Sequence, residues 1–223
     1  MGADFHSLRE RAAPYTMASP ERQFALHEAV RYVVAAGVPG DCVECGVWRG
    51  GSSMMVALTL DGLSERRRLW LYDTFDGMPT PTSADVLWNG RSASSELDKA
   101  TKAEGAGNVW AYATLDDVKE NMGRTGYPAD LITYVAGRVE DTIPTQAPEQ
   151  IALLRLDTDW YESTRHELEH LWERLVPGGV LIIDDYGHWQ GARKAVDEFF
   201  ADRPHLFARV DYTGRMTVKL PAT

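Results

Sequence analysis

Apolar positions recur along the chain with two spacings, and the alternation between them predicts the elements. Ser19-Pro20-Glu21 supplies an N-cap, a proline at the first helical position and an acidic first turn. The helix it opens carries Phe24, Val30, Val33 and Val34, and stops at Gly37 with Pro39 beyond. Residues 42–47 predict a first strand, 52–60 an apolar helix and Leu69–Asp73 a second strand. Thr114-Leu115-Asp116-Asp117 has the form of a capping box, with Asp in place of Glu, and opens a short helix. Ile132–Ala136 and Ile151–Leu156 read as strands three and four; a helix follows, and 180–183 reads as strand five. A last helix, from about 192 to 201, precedes two closing strands at 206–210 and 216–220. Strands alternating with helices predict a mostly parallel α/β sheet covered on both faces. The closing strands are joined by too few residues for a crossover, so that pair is antiparallel.

Residues from about 77 to 107 break the pattern. They are polar and rich in Ser, Thr and Gly, and predict a long surface excursion. Loops of that length in a compact domain are usually functional or mobile. A length of 223 residues fits one domain spanning 1–223, with 1–19 as a segment ahead of the first helix. With 44% apolar and 25% charged residues, disordered, collagen-like and disulfide-scaffold classes are excluded. No apolar run approaches the roughly 18 residues that would cross a bilayer. The start, MGADFHSLRE, lacks the apolar core of a signal peptide, and His6 stands where a myristoylation signal needs Ser or Thr. Cys42 and Cys45 sit in a chain that otherwise reads as cytoplasmic, where thiols stay reduced. Acidic residues outnumber basic ones 33 to 23, a net charge of −10, which argues against wrapping nucleic-acid phosphate.

The chemistry-bearing residues collect at strand ends, where open α/β sheets bind ligands. Strand one runs into Glu44-Cys45-Gly46-Val47-Trp48-Arg49-Gly50-Gly51-Ser52, a glycine loop that lets backbone turn sharply and approach a ligand. Strand two ends at Asp73, 27 residues after Gly46, where a carboxylate can accept from ribose hydroxyls. The spacing is G-x-x-x-G-G, not the dinucleotide G-x-G-x-x-G, and a tight turn without a ligand is the plain alternative. Together the loop and the terminal acid point to a nucleoside-bearing cofactor. Strand four ends in Asp157-Thr158-Asp159 and strand five in Asp184-Asp185. Neighbouring strands lie about 4.8 Å apart, so these four carboxylates would crowd one rim. A cation or shared protons must then compensate. An all-oxygen donor set suits Mg²⁺, Ca²⁺ or Mn²⁺ better than Zn²⁺. Helix or turn capping by some of these acids is the bland reading.

Pro177-Gly178-Gly179 before an apolar strand ending in acids resembles the turn before strand five of class I S-adenosylmethionine-dependent methyltransferases. Within that superfamily, four segments resemble the macrocin O-methyltransferase family, which includes the enzymes that methylate novobiocin and mycinamicin sugars. They are 43–52, Tyr72-Asp-Thr-Phe-Asp-Gly-Met-Pro79, Leu156-Asp-Thr-Asp-Trp-Tyr161 and Ile183-Asp-Asp-Tyr-Gly-His188, and the likeness runs from about Pro14 to Phe200. The resemblance implies a Rossmann-like methyltransferase sheet and a Mg²⁺-dependent O-methyltransferase. It implies that Asp157, Asp184 and Asp185 hold the metal and that Asp159 is the general base. Glu44 and Gly46 would face the methionine part of S-adenosylmethionine, with Ser52 and Asp157 also bordering the cofactor. Asp73 would take the ribose, and Gly137-Arg138 the adenine. The 1–19 segment would form an N-terminal lid, which Tyr15-Thr16-Met17 resembles, bringing Thr16 and Met17 over the cofactor, and the 77–107 excursion would be a lid over the substrate site. The expected partner is a small-molecule glycoside, with neither nucleic acid nor membrane; a homodimer is left open. Trp88, Trp160, Tyr161 and Trp189 are candidate walls for a sugar or aglycone, or ordinary packing residues.

Other patterns point elsewhere. His166-Glu-Leu-Glu-His170 matches a zinc-protease motif, yet Leu168, Leu171, Trp172 and Leu175 mark the buried stripe of that helix and leave both histidines toward solvent. Cys42 and Cys45 form C-x-x-C without a second pair, as buried thiols of a core strand would. His188 either borders the substrate or is a polar loop residue. Asp157-Thr-Asp159 also resembles the DxD of metal-dependent glycosyltransferases, which leaves Asp184-Asp185 and the glycine loop unexplained. A dehydrogenase fails on Tyr161-x-x-x-Arg165 and on the glycine spacing. The alternative of another class is a non-catalytic S-adenosylmethionine-binding protein, which has no chemical need for Asp159.

Overall fold

The protein is described by a computed structural model covering residues 3–221 apart from 104 and 106. Residues 1, 2, 222 and 223 of the expected domain, the first two also of the 1–19 segment, and 104 and 106 of the excursion lie outside the described residues. Seven strands form one sheet: β1 (Asp41–Cys45), β2 (Leu69–Asp73), β3 (Ile132–Ala136), β4 (Ile151–Leu156), β5 (Leu175–Ile183), β6 (Ala208–Arg209) and β7 (Arg215–Val218). Their order is β3-β2-β1-β4-β5-β7-β6. The first five are parallel, and β7 runs antiparallel to both β5 and β6, as the short closing connection requires. The order reverses between β1 and β4, so the connections leaving those strands diverge and open a crevice at their carboxyl ends.

Strand alternation divides the core. Cys42, Leu153 and Ile182 face one way, toward α1 (Ala3–Ala12), α2 (Pro20–Ala35) and α3 (Gly51–Gly62). Val43, Cys45, Leu154, Leu181 and Ile183 face the other, toward α7 (Tyr161–Leu171) and α8 (Gln190–Phe200). Helix α3 is buried along Gly51–Leu60 because it lies between the sheet and the two N-terminal helices. The Pro177-Gly178-Gly179 turn is absorbed into the start of β5: Leu175 pairs with Ile151 but Val180 with Leu153, and Gly178 takes up the slack at φ 84°. No helix among the described residues is long and apolar enough to cross a membrane.

Two regions differ from the sequence expectation. The segment ahead of α2 is not a lid throughout. Phe5, Leu8 and Ala12 lie on one helical face, and α1 docks them against the core; a 3₁₀ turn (Ala13–Tyr15) follows, and only then does the chain run extended to the Ser19 cap. The excursion is likewise packed rather than wholly superficial. It contains α4 (Ala93–Lys99), and Leu87, Ala93 and Leu97 share a small core with Trp160, Trp189 and Ala192. Asp85 is fully buried and accepts from Tyr161 N at 2.7 Å, capping the first turn of α7. Two further short α-helices are α5 (Leu115–Gly123), opened by the predicted Thr114 cap, and α6 (Val139–Thr142).

Candidate active site

A cavity of about 480 Å³ opens at the carboxyl ends of β1, β2, β3, β4 and β5. Its floor is the glycine loop after β1. Gly46 (φ 83°) must be glycine because a Cβ there would collide with the carbonyl of Asp157 on the neighbouring strand. The packing of one strand end on another therefore demands this glycine, whose backbone also lines the cavity. Asp73 ties the loop down. Its Oδ2 accepts from Val47 N (2.7 Å) and Trp48 N (3.0 Å), and its Oδ1 from Phe75 N (2.8 Å). Burial raises the Asp73 carboxyl, and those three backbone donors oppose the rise. Gly51 leaves space for the N-terminal segment: a Cβ there would lie 2.5 Å from the Tyr15 carbonyl carbon. Thr16 Oγ1 consequently stands 3.4 Å from Ser52 Oγ, and Met17 Sδ accepts from Gly107 N at 3.3 Å, so N-terminal segment and excursion meet over the cavity.

The acid rim forms as the strand ends predict, because β4 and β5 are neighbours. Carboxylate oxygens of Asp157, Asp184 and Asp185 all lie within 4.8 Å of one another. Two arginines meet them from the face of α2 and α3. Arg155, 5% exposed next to the last residue of β4, donates to Glu44 Oε1 (2.6 Å), Asp157 Oδ2 (2.7 Å) and Asp184 Oδ1 (2.6 Å). Arg22, from the first turn of α2, donates to the other oxygen of Asp184 and lies 3.1 Å from Asp211. Five carboxylates (Glu44, Asp157, Asp159, Asp184, Asp185) thus face two guanidinium groups, and the site keeps an excess of negative charge. That excess appears as raised carboxyls. Burial and then the Asp184 and Asp185 charges drive Asp157 up against the pull of Arg155, and burial with the Asp159 charge raises Asp185. The donor set is all oxygen, the oxygens converge, and charge remains to be neutralised, so these residues fit a hard divalent cation.

Asp159 is built differently. It sits at φ 67°, where a non-glycine residue is strained, and Trp160 N closes the turn onto Thr158 O at 2.7 Å. The turn aims its carboxyl at Asp185 and Trp189. Burial pushes it up to about 7. From beneath, Thr158 donates to the fully buried Glu167 at 2.9 Å, which anchors the turn on α7.

The predicted residues Thr16, Met17, Gly46, Ser52, Asp73, Gly137, Arg138, Asp157, Asp159, Asp184 and Asp185 all line this one cavity. Glu44 does not. It lies under the floor, held by Arg155 and Ser53, because strand parity turns it onto the α3 side of β1. His188 lines the cavity and lies 3.1 Å from Tyr212 Oη. From the excursion, Arg91 and Glu96 also reach it, paired at 3.4 Å. Of the candidate aromatic walls, Trp160 and Trp189 are buried edge to face at 4.8 Å, and only Trp189 borders the cavity. The two histidines of the H-E-x-x-H run are half-buried rather than turned to solvent: His166 bonds Ile143 O at 2.9 Å and its ring lies 4.3 Å from His170. Glu167 between them points into the core. Cys42 and Cys45 are free and buried, on opposite faces of the sheet.

The profile of a protein family described as Macrocin-O-methyltransferase (TylF) matches residues 4–216. The chain is 39% identical over 200 residues to the 8-demethyl-8-(2,3-dimethoxy-alpha-L-rhamnosyl)-tetracenomycin-C 4'-O-methyltransferase of Streptomyces olivaceus, covering 89% of this chain and 70% of that protein. It is 36% identical over 186 residues to the mycinamicin III 3''-O-methyltransferase of Micromonospora griseorubida, covering 83% and 70%. Among solved structures, the O-methyltransferase NovP matches with a TM-score of 0.81 at 28% identity, over 93% of this chain and 83% of that one.

Proposed function

The chain belongs to the macrocin O-methyltransferase family, and from that premise we propose that it methylates a sugar hydroxyl of a glycosylated natural product. S-adenosylmethionine supplies the methyl group, and Mg²⁺ is the metal the acid rim suits. The observation that carries the reading is the convergence of a metal-compatible carboxylate trio and a separately held Asp159 on one cavity with the glycine loop. One relative named above is, by name, a 4'-O-methyltransferase of a rhamnosyl tetracenomycin, and the other a 3''-O-methyltransferase of mycinamicin III. A glycosyltransferase leaves the glycine loop unused, and a purely binding protein leaves the strained Asp159 without a task.

The cofactor would lie on Gly46 and Ser52, with Gly137 and Arg138 toward its base, Asp157 at its reacting end and Thr16 and Met17 closing over it. Asp73 acts at least as much by fixing the loop as by meeting the ribose, since its oxygens already take three backbone donors. Glu44 acts through Arg155 and not by touching the cofactor. A divalent cation held by Asp157, Asp184 and Asp185 would supply Lewis acidity that lowers the pKa of an acceptor hydroxyl. Asp159 Oδ then accepts the hydroxyl proton, a task for which a buried carboxyl raised above its ordinary value is suited. Met17, Gly107 and the excursion residues above them exclude water from the transfer.

Chelation tests the metal. Treating the protein with a chelator is expected to abolish methyl transfer while calorimetric S-adenosylmethionine binding persists, because the glycine loop holds the cofactor independently of the acids. An unchanged rate would mean that the rim is not a metal site. The loop has its own test. Asp73→Ala is expected to weaken cofactor binding by about 1–3 kcal/mol, the cost of unpaired donors in a buried loop. Gly46→Val is expected to lower the melting temperature even without cofactor, because its clash is with Asp157 backbone. Unchanged affinity in both variants would remove the assignment.

A further inference from the structure

A second concavity, about 380 Å³, lies against the active-site cavity, and the two share Trp189 as a wall. The partition is made by two paired segments: Leu87 bridges Trp189, and Trp88 N donates to His188 O at 2.9 Å. Consecutive residues face alternate sides of it. Leu87 and His188 line the cavity, whereas Trp88 and Gly187 line the cleft. Trp88 is 65% exposed on this fixed backbone, although tryptophan is ordinarily well buried. The remaining lining is polar but self-satisfied. Arg193 pairs with Asp197 at 3.4 Å, Lys194 with Glu198 at 3.9 Å, and Tyr186 Oη donates to Asp197 at 2.6 Å. Two cations balance two anions, so the cleft has no net charge to offer an ion. What it leaves unpaired is the flat apolar face of one indole.

The size of the cavity says what that face is for. At about 480 Å³ the cavity lies in the range of a single ligand pocket, roughly 300–1,000 Å³. A cofactor and one sugar ring would fill it, and the cleft that shares its Trp189 wall is adjoining space for the rest of a glycoside acceptor. We propose that the cleft beside Trp88 holds the uncharged, flat aglycone of the acceptor, stacked on the indole, while its sugar reacts at the acid rim. This rests on the glycoside reading above. The proposal makes Trp88 a specificity residue for the aglycone with no part in methyl transfer itself.

The test uses the full chain as wild type, Trp88→Ala and Trp88→Phe, with three probes: a tetracenomycin rhamnoside, methyl rhamnoside, and the tetracenomycin aglycone alone. By ligand-observed NMR the aglycone alone should bind wild type, bind Trp88→Ala about ten-fold more weakly, and bind Trp88→Phe in between. In methyl transfer, Trp88→Ala should raise KM for the tetracenomycin rhamnoside about ten-fold and leave methyl rhamnoside turnover unchanged. Equal aglycone binding by wild type and Trp88→Ala would overturn the proposal. So would an equal loss with both acceptors, or conversion of a dimer to a monomer by Trp88→Ala with aglycone binding intact. Should wild type methylate neither acceptor, the glycoside reading fails, and the aglycone titration still decides the cleft.

Discussion

Asp159→Asn should lower kcat by roughly 10²–10⁴, the usual worth of a positioned general base, with cofactor and metal still bound. The expectation rests on how the residue is held. Asp159 stands outside the trio whose oxygens converge, at φ 67°, in a turn closed by Trp160 N on Thr158 O. The amide has the shape of the carboxylate but cannot take a proton. Wild-type activity should rise with pH as this buried carboxyl ionises, at a pH lowered by the bound cation, and the variant should lose that limb. Stability moves the other way. A carboxyl raised from 3.8 to about 7 by burial favours the fold in its protonated form, so its contribution is complete below pH 3.8 and is lost as pH rises through 7. Without metal, Asp159→Asn should therefore unfold at higher temperature than wild type at pH 8 and at nearly the same temperature at pH 4. Calorimetry and a pH–rate profile check both. If Asp159→Asn instead loses metal while Asp157→Asn is harmless, the two acids have exchanged roles.

Arg155→Met should cost about 3–5 kcal/mol of stability, the penalty for leaving buried charges without their partner. A single guanidinium bridges Glu44, Asp157 and Asp184, each within 2.7 Å, from a position 5% exposed. Methionine fills the volume without the charge, so the loss is electrostatic rather than a cavity. Removing the cation raises its carboxylate neighbours further, which penalises their ionised forms, so the deficit should grow as pH rises and shrink as it falls. Arg155→Lys keeps a charge but reaches fewer oxygens, and should fall between. Urea unfolding at pH 5 and pH 8 measures the difference. A variant as stable as wild type at pH 8 would mean that the acids share protons and do not depend on Arg155.

The acid rim and glycine loop were legible because each is local: an apolar strand, then its terminal residues, at a place where α/β sheets gather ligands. Asp157, Asp159, Asp184 and Asp185 needed only the adjacency of β4 and β5 to meet. The cation that balances them also left a trace, since Ile151-Ala-Leu-Leu-Arg155-Leu156 carries one charge inside an otherwise apolar strand, and such a charge must be paired. The parity of β1 would have turned Glu44 toward it. Arg22 was not legible, because its reach to Asp184 depends on how α2 crosses the sheet and on nothing in its neighbours. Helix α1 was missed although Phe5, Leu8 and Ala12 have helical spacing, because charged residues dilute that short stripe. The excursion looked superficial for a related reason. Its buried residues are few and far apart, and their partners Trp160 and Trp189 come from other loops.

Methyl transfer from cofactor to a sugar oxygen in this cavity can be read from the product itself. Protein, methyl-labelled S-adenosylmethionine, Mg²⁺ and a rhamnosylated polyketide are incubated together, and the labelled product is located by NMR. The expected product carries a single methyl ether on a sugar hydroxyl. Label on the aglycone, on nitrogen or on carbon would contradict it, as would a protein that binds the cofactor and transfers nothing.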